Sequence, residues 1–266
     1  KEAGIKVLEW DNAVYKKAGL EPTPLNESPY MQRLIQRNYE KTKGEMHNFT
    51  GTMPNACHDN YIKAVDKAYT QTASGTTGYT QAVKEAVNDI INSGADVTYP
   101  SGHRDSIETA TTRAVRTGVS QMAGEITDAR MDEMNWDIIL TSAHLGARIG
   151  DGGDNLTNHY WWQGKFYSKS GNDPRFPPFS VCGMGNVQGI HGANCRHSHG
   201  PGDGINNPFE DYDSEENRKE YEKRKRQREL ERRIRKTKRQ LIGMKTAVDN
   251  AKDEALKHDL DMEYQK

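Results

Sequence analysis

No stretch of this chain approaches the ~20 consecutive apolar residues that a membrane-spanning helix needs. Its start lacks the basic segment and apolar run of a secretory signal. Cysteine is scarce: Cys57, Cys182 and Cys195 are the three in 266 residues, too few for a disulfide framework. These absences predict a soluble protein of a reducing compartment with no membrane span. Apolar residues are also short, at 33% against 28% charged, a balance more polar than an ordinary globular chain. Part of the sequence is therefore expected as exposed helix, or as surface buried only against partners. Nucleotide signatures are missing too. GDGGDN (150–155) lacks the Gly-Lys-Ser/Thr ending of a phosphate loop, and no GxGxxG occurs. The acidic loop 151–154 lacks the twelfth-position Glu of an EF-hand. The chain opens on Lys1 rather than Met, as a processed or partly observed product would.

What is present is a strong internal charge asymmetry. Residues 214–266 carry 17 Lys+Arg and 12 Asp+Glu, or +5, so the preceding 213 residues carry −6 of the net −1. The densest run, 218–245, has 14 basic and 4 acidic residues, or +10. A basic arm on a mildly acidic body points to a polyanionic or acidic partner, and equally describes a solvated helix face. Within it, Arg224, Arg226, Arg228, Arg232, Arg233, Arg235, Lys236 and Arg239 are the candidate contacts for DNA or an acidic protein surface.

The pattern of punctuation predicts an α+β protein: a mainly helical N-terminal part (1–100), a small β-containing irregular core (101–209), and a long charged C-terminal helix or helical hairpin (210–266). Helical patterns cover 1–19, 30–43, 59–73 and 79–94, the last with Val83, Val87, Ile90 and Ile91 in register and Gly94 as its stop. TASGTTG (72–78) and VTYPSGH (97–103) read as breaks. Asp105 followed by Glu108 predicts a capped start for a helix reaching about residue 134. Gly118 and Gly124 within it imply close packing of another element, since an interior glycine costs about 1 kcal/mol against Ala. DIILTSAH (137–144) and WWQGKFYS (161–168) read as strands. From 169 to 209 the chain is rich in Gly, Pro, Asn and Ser. So long an irregular stretch must be held by side chains or an ion, or be a functional loop. Ser214 before Glu215 and Glu216 predicts a helix start. Leu230, Ile234, Thr237, Leu241, Met244, Val248, Ala251, Ala255, His258 and Met262 then form a weak coiled-coil-like seam. Gly243 is a point of interruption, and a turn is expected near Asp249-Asn250.

The chemistry-bearing residues concentrate in GIHGANCRHSHG (189–200). Cys182, His191, Cys195 and His197 are candidate zinc ligands, since zinc takes four N or S donors, although paired CxxC knuckles are absent. Cys195 beside His144, His159 or His191 is a candidate nucleophile and base, with Arg196 favouring a thiolate. The third reading is structural. Gly183, Gly185, Gly189 and Gly192 permit tight turns, while Asn194 and the histidines bond stray backbone groups.

The order of motifs adds to this. AVRTGVSQMAGEI (114–126) is followed by SAHLGAR (142–148), His159-x-x-Trp162-Gln163-Gly164-Lys165, Cys182-Gly183, GANCRHS (192–198) and the basic helix YEKRKRQRELERRIRKTKR (221–239). Over about residues 105–240 this order resembles the phage minor capsid protein 2 family, akin to the Mu F-like head morphogenesis proteins of tailed phages. The positions that match are Arg116, His144, Gly146, Arg148, His159, Trp162, Gln163, Gly164, Asn194, Cys195, Arg196 and His197. The resemblance implies a minor structural protein of the phage head, in the virion interior near the portal and in the bacterial cytoplasm during assembly. Its implied partners are the portal protein or the major capsid protein, with packaged double-stranded DNA as a further contact. It implies no reaction, no catalytic residue and no cofactor. The charged helix after residue 213 leaves no place in this sequence for the toxin-type domain that some Mu F-like relatives carry. The alternative is a virion-packaged enzyme, a hydrolase or nuclease working through a metal or the Cys/His residues.

Overall fold

The computed structural model describes residues 2–73, 76–93, 96–99, 102–252 and 254–265. The elements run α1 (Glu2–Lys17), α2 (Pro29–Ala73), α3 (Tyr79–Ser93), β1 (Asp96–Thr98), β2 (Arg104–Ser106), α4 (Ile107–Glu133), β3 (Ile138–Thr141), α5 (His159–Trp162), β4 (Phe166–Ser168), β5 (His199–Pro201), α6 (Ser214–Asn250) and α7 (Glu254–Tyr264). The α+β class, the helical N-terminal part and the long charged C-terminal helix are as the sequence predicts. The compact units are discontinuous in sequence. One gathers 1–45 with 112–225, the other 46–111 with 226–266. Each therefore draws on more than one of the segments 1–100, 101–209 and 210–266.

The first unit holds His144, His159, His191, His197 and His199. Its sheet has the order β4-β3-β5 and is antiparallel throughout. Ile139 is the centre of the register, facing Tyr167 on one side and Pro201 on the other. Around it lies a buried cluster of Tyr15, Met131, Ile139, Trp162, Tyr167, Phe179, Cys182 and Ile190. A second cluster, Met31, Leu34, Met122, Ile126 and Ala129, joins the start of α2 to α4. Met122, Ile126 and Ala129 recur at steps of four and three, so one stripe of α4 supplies that contact.

In the second unit, β1 and β2 pair antiparallel. Lys67 of α2 bonds Asp89 of α3 at 2.8 Å, and Gln71 bonds Glu85 at 3.0 Å. Gln240 of α6 donates to Asn92 at 2.9 Å. Gly243 does not interrupt α6. A Cβ there would lie 2.6 Å from Ile91, so glycine is what lets α3 come close.

Several expectations are corrected. The separate helices at 30–43 and 59–73 are one helix, α2, continuing through Gly44, Gly51 and Pro54. An interior proline removes a backbone donor and crowds the carbonyl four residues before it, so a break there is a reasonable expectation, yet the helix runs on. WWQGKFYS is not one strand. Trp161 and Trp162 end α5, and extended pairing begins at Phe166. The break at 97–103 lies within a hairpin, with the Tyr99 amide donating to His103 O at 2.8 Å. Capping is displaced by one residue at two helix starts. Ser106, not Asp105, accepts from the Thr109 amide at 3.4 Å. Asp213, not Ser214, accepts from Glu215 and Glu216 at 2.9 and 3.0 Å. The seam from Leu230 to Met262 is divided where α6 ends at Asn250, close to the expected turn. Gly94, residues 74–75 of the loop at 72–78 and residues 100–101 of VTYPSGH lie outside the described residues.

Candidate functional site

The irregular stretch 169–198 is held by two histidine networks. The first is built on α5. Asn158 caps this helix, its Oδ1 accepting from the Trp161 amide at 3.2 Å, which sets His159 and Trp162 on one face, three residues apart. The Trp162 indole is fully buried and donates to Leu156 O at 3.1 Å. His197 enters beside it. Its ring lies 4.7 Å from Trp162, 5.3 Å edge-on from His159, and 4.4 Å from His144 in a near-parallel stack. Gln163 Oε1 takes two protons, from the His144 amide and from His197 Nε2, each at 3.0 Å. His159 Nε2 bonds Gln188 O at 2.8 Å. The Arg148 guanidinium donates to Ala193 O at 2.8 Å, so the loop carbonyls are satisfied from two sides.

The second network crosses from α4 to the loop. Ser120 Oγ meets His191 Nδ1 at 2.8 Å, His191 Nε2 meets His199 Nδ1 at 2.9 Å, and His199 Nε2 meets Asp128 Oδ1 at 3.2 Å. The carboxylate can only accept, so His199 Nε2 donates to Asp128. All four ring nitrogens of His191 and His199 are thus engaged. Gly124 makes room for this; a Cβ there would lie 2.8 Å from the His191 ring. His191 and Asn194 hold positive φ of 58° and 59°, the left-handed turn conformation unusual for non-glycine residues.

Burial governs the electrostatics. It holds the His191 pKa down to about 3 and that of His159 to about 4, keeps His197 well below the ordinary imidazole value, and also lowers His144. These rings are neutral at pH 7. Burial pushes the Cys195 thiol up, the opposite of the shift a nucleophilic cysteine needs. The Cys182 thiol is driven up to about 12 for the same reason.

The sequence-derived set is brought together in part. His144, His159, Trp162, Gln163, Cys195 and His197 converge, with Arg148 at the rim. Asn194 and Arg196 are exposed on the neighbouring turn, and Arg116 is exposed on α4. The proposed ligand set Cys182, His191, Cys195 and His197 does not meet as a unit: His191 belongs to the α4 network and Cys182 packs against Tyr167. His159 takes the place beside Cys195 and His197. Ser120, Asp128 and Gln188 were missed. Ser120 and Asp128 are eight residues apart, two turns of one helix face, and only that spacing hinted at a shared partner.

A family model for phage minor capsid protein 2 matches residues 1–266. The chain belongs to the phage minor capsid protein 2 family. The match spans the whole chain, beyond the 105–240 over which the motifs resemble it. No curated protein and no solved structure matches it. Family membership makes the chain a minor structural protein of a phage virion. No helix among the described residues is long and apolar enough to cross a membrane.

In this minor capsid protein the basic arm is α6. Its first turn is seated on the core by Asn217, fully buried, whose Oδ1 accepts from the Ala147 amide at 2.8 Å and whose Nδ2 donates to Ala147 O at 3.1 Å. Arg224 bonds Glu220 at 2.8 Å and Arg233 bonds Glu229 at 2.6 Å, both within the helix. Arg226, Arg232, Arg235 and Lys236 are exposed, whereas Arg228 and Arg239 are half-buried.

Proposed function

We propose that this minor capsid protein is assembled on the portal or the inner capsid surface of the phage head, with α6 as the arm that meets an acidic portal surface or packaged duplex DNA. The observation that carries the reading is the double character of α6. Exposed Arg and Lys share it with exposed Leu230, Ile234 and Leu241. A solvated helix has no use for that apolar row, whereas a partner-bound one does. On α2, Tyr61, Val65 and Tyr69 are likewise exposed at steps of four, a second apolar row suited to a protein neighbour. Lys and Arg contacts to phosphate bind DNA without reading its sequence. In this reading the chain is not an enzyme, and its histidine networks serve to fix the core from which α6 extends. The raised Cys195 thiol supports that assignment.

The test is incorporation. Arg226, Arg232, Arg235 and Lys236 are changed together to Glu, and the protein is co-expressed with the portal and major capsid proteins. Quantitative mass spectrometry then counts copies per purified head, and DNA binding is titrated against salt. Loss of incorporation, or loss of a salt-dependent DNA complex, is expected. Unchanged copy number together with unchanged DNA binding would remove α6 from the contact.

A further inference from the structure

His159, Cys195 and His197 each present one donor atom, and the three atoms lie within 4.8 Å of one another. Donors on a tetrahedral zinc ion, with bonds of about 2.0–2.3 Å, sit roughly 3.3–3.8 Å apart. Cys195 Sγ and His197 Nδ1 are already at 3.7 Å.

The protons are arranged to suit a cation. Gln188 O is a backbone carbonyl and can only accept, so His159 carries its proton on Nε2. Gln163 Oε1 accepts the His144 amide, which fixes the oxygen there, so His197 also carries its proton on Nε2. Both Nδ1 atoms are left with lone pairs. An imidazole whose distal N–H is anchored on an oxygen acceptor is the usual outer arrangement around a metal ligand.

We propose that His159, Cys195 and His197 form a zinc site that clips the irregular segment before β5 to α5. Two imidazole nitrogens and one sulfur select a thiophilic ion over magnesium or calcium, which take oxygen donors. Binding exchanges the Cys195 S–H proton for the ion: the sulfur becomes thiolate and one proton leaves to solvent. Three protein donors leave the fourth position to water. The Arg148 guanidinium nearby lowers the affinity relative to an all-thiolate site, because the bound pair of Zn2+ and one thiolate remains cationic. This inference is independent of where the protein sits in the head.

The full chain is loaded with cobalt as the spectroscopic stand-in for zinc. One cobalt per chain with thiolate-to-cobalt charge-transfer absorption is expected, absent in Cys195→Ala. Because that variant risks misfolding, the unmodified chain is also alkylated with and without zinc and its cysteines are mapped by mass spectrometry. Zinc should slow modification of Cys195 and leave Cys57 unchanged. Equal alkylation of Cys195 in both conditions, or a charge-transfer band that survives Cys195→Ala, would overturn the proposal.

Discussion

Gln163 carries one oxygen into a space where two donors converge, the His144 amide and His197 Nε2. His197 is almost fully buried, so water cannot replace that acceptor. Gln163→Leu keeps the volume and removes the oxygen, leaving both donors unpaired. An unsatisfied buried donor costs about 1–3 kcal/mol, and the two share one site, so a loss of about 2–4 kcal/mol is expected in urea unfolding. Retained far-UV ellipticity with a lower midpoint is the expected result. A midpoint equal to wild type would mean that solvent reaches both groups. The sequence placed Gln163 among the core positions but gave no hint of its double role, because one acceptor serving residues 19 and 34 positions away leaves no local pattern.

Among the elements, α6 depends on how its first turn is seated. Asn217 satisfies both backbone groups of Ala147, which the buried segment after β3 cannot pair otherwise. Gly146 makes the approach feasible: it holds φ +75°, and a Cβ there would lie 3.0 Å from the Glu220 side chain. Asn217→Ala strips a buried N–H and C=O of their partners, an expected loss of about 2–3 kcal/mol. It should also free the arm, which faster proteolysis after Arg218 and Lys219 would report. Unchanged cleavage would show that other contacts hold α6. Helices were legible wherever apolar residues recur at helical spacing, as in α3, α4 and α6. The small sheet was legible at β3, whose β-branched run stands out. It was read too long at β4, whose three residues close the stretch 161–168, and was missed at β5, a three-residue strand fixed by pairing with β3 rather than by its own composition. The candidate site was legible as a list of residues. Its division into two networks was not, because Ser120 and Asp128 reach the loop from α4, more than 60 residues earlier in the chain.

For the molecule as a whole, the buried titrating groups set how stability responds to acid, and their signs oppose. His191 and His159 have folded values of about 3 and about 4, below the ~6.5 of an unfolded chain. Above ~6.5 both states are neutral and their contribution is fully present. As pH falls below that, the unfolded chain gains protons that the folded one refuses, so stability drops. Asp11 runs the other way. Burial raises it to about 6 against the hydrogen bond from Thr127, so between pH 6 and its unfolded value of 3.8 the folded chain takes up the proton first and gains stability. By about pH 4 each histidine withdraws on the order of 3 kcal/mol and Asp11 returns about as much. His197 and His144, also held below the ordinary imidazole value, add losses of the same sign, so the single gain from Asp11 leaves a deficit of at least about 3 kcal/mol. The urea midpoint, measured with a chelator present so that no metal contributes, should hold level above about pH 6.5 and fall steadily toward about pH 4. In Asp11→Asn the compensating gain disappears, so that variant should lose stability more steeply over the same interval. A midpoint that stayed level to about pH 4 in both proteins would mean the histidines are not buried as neutral rings.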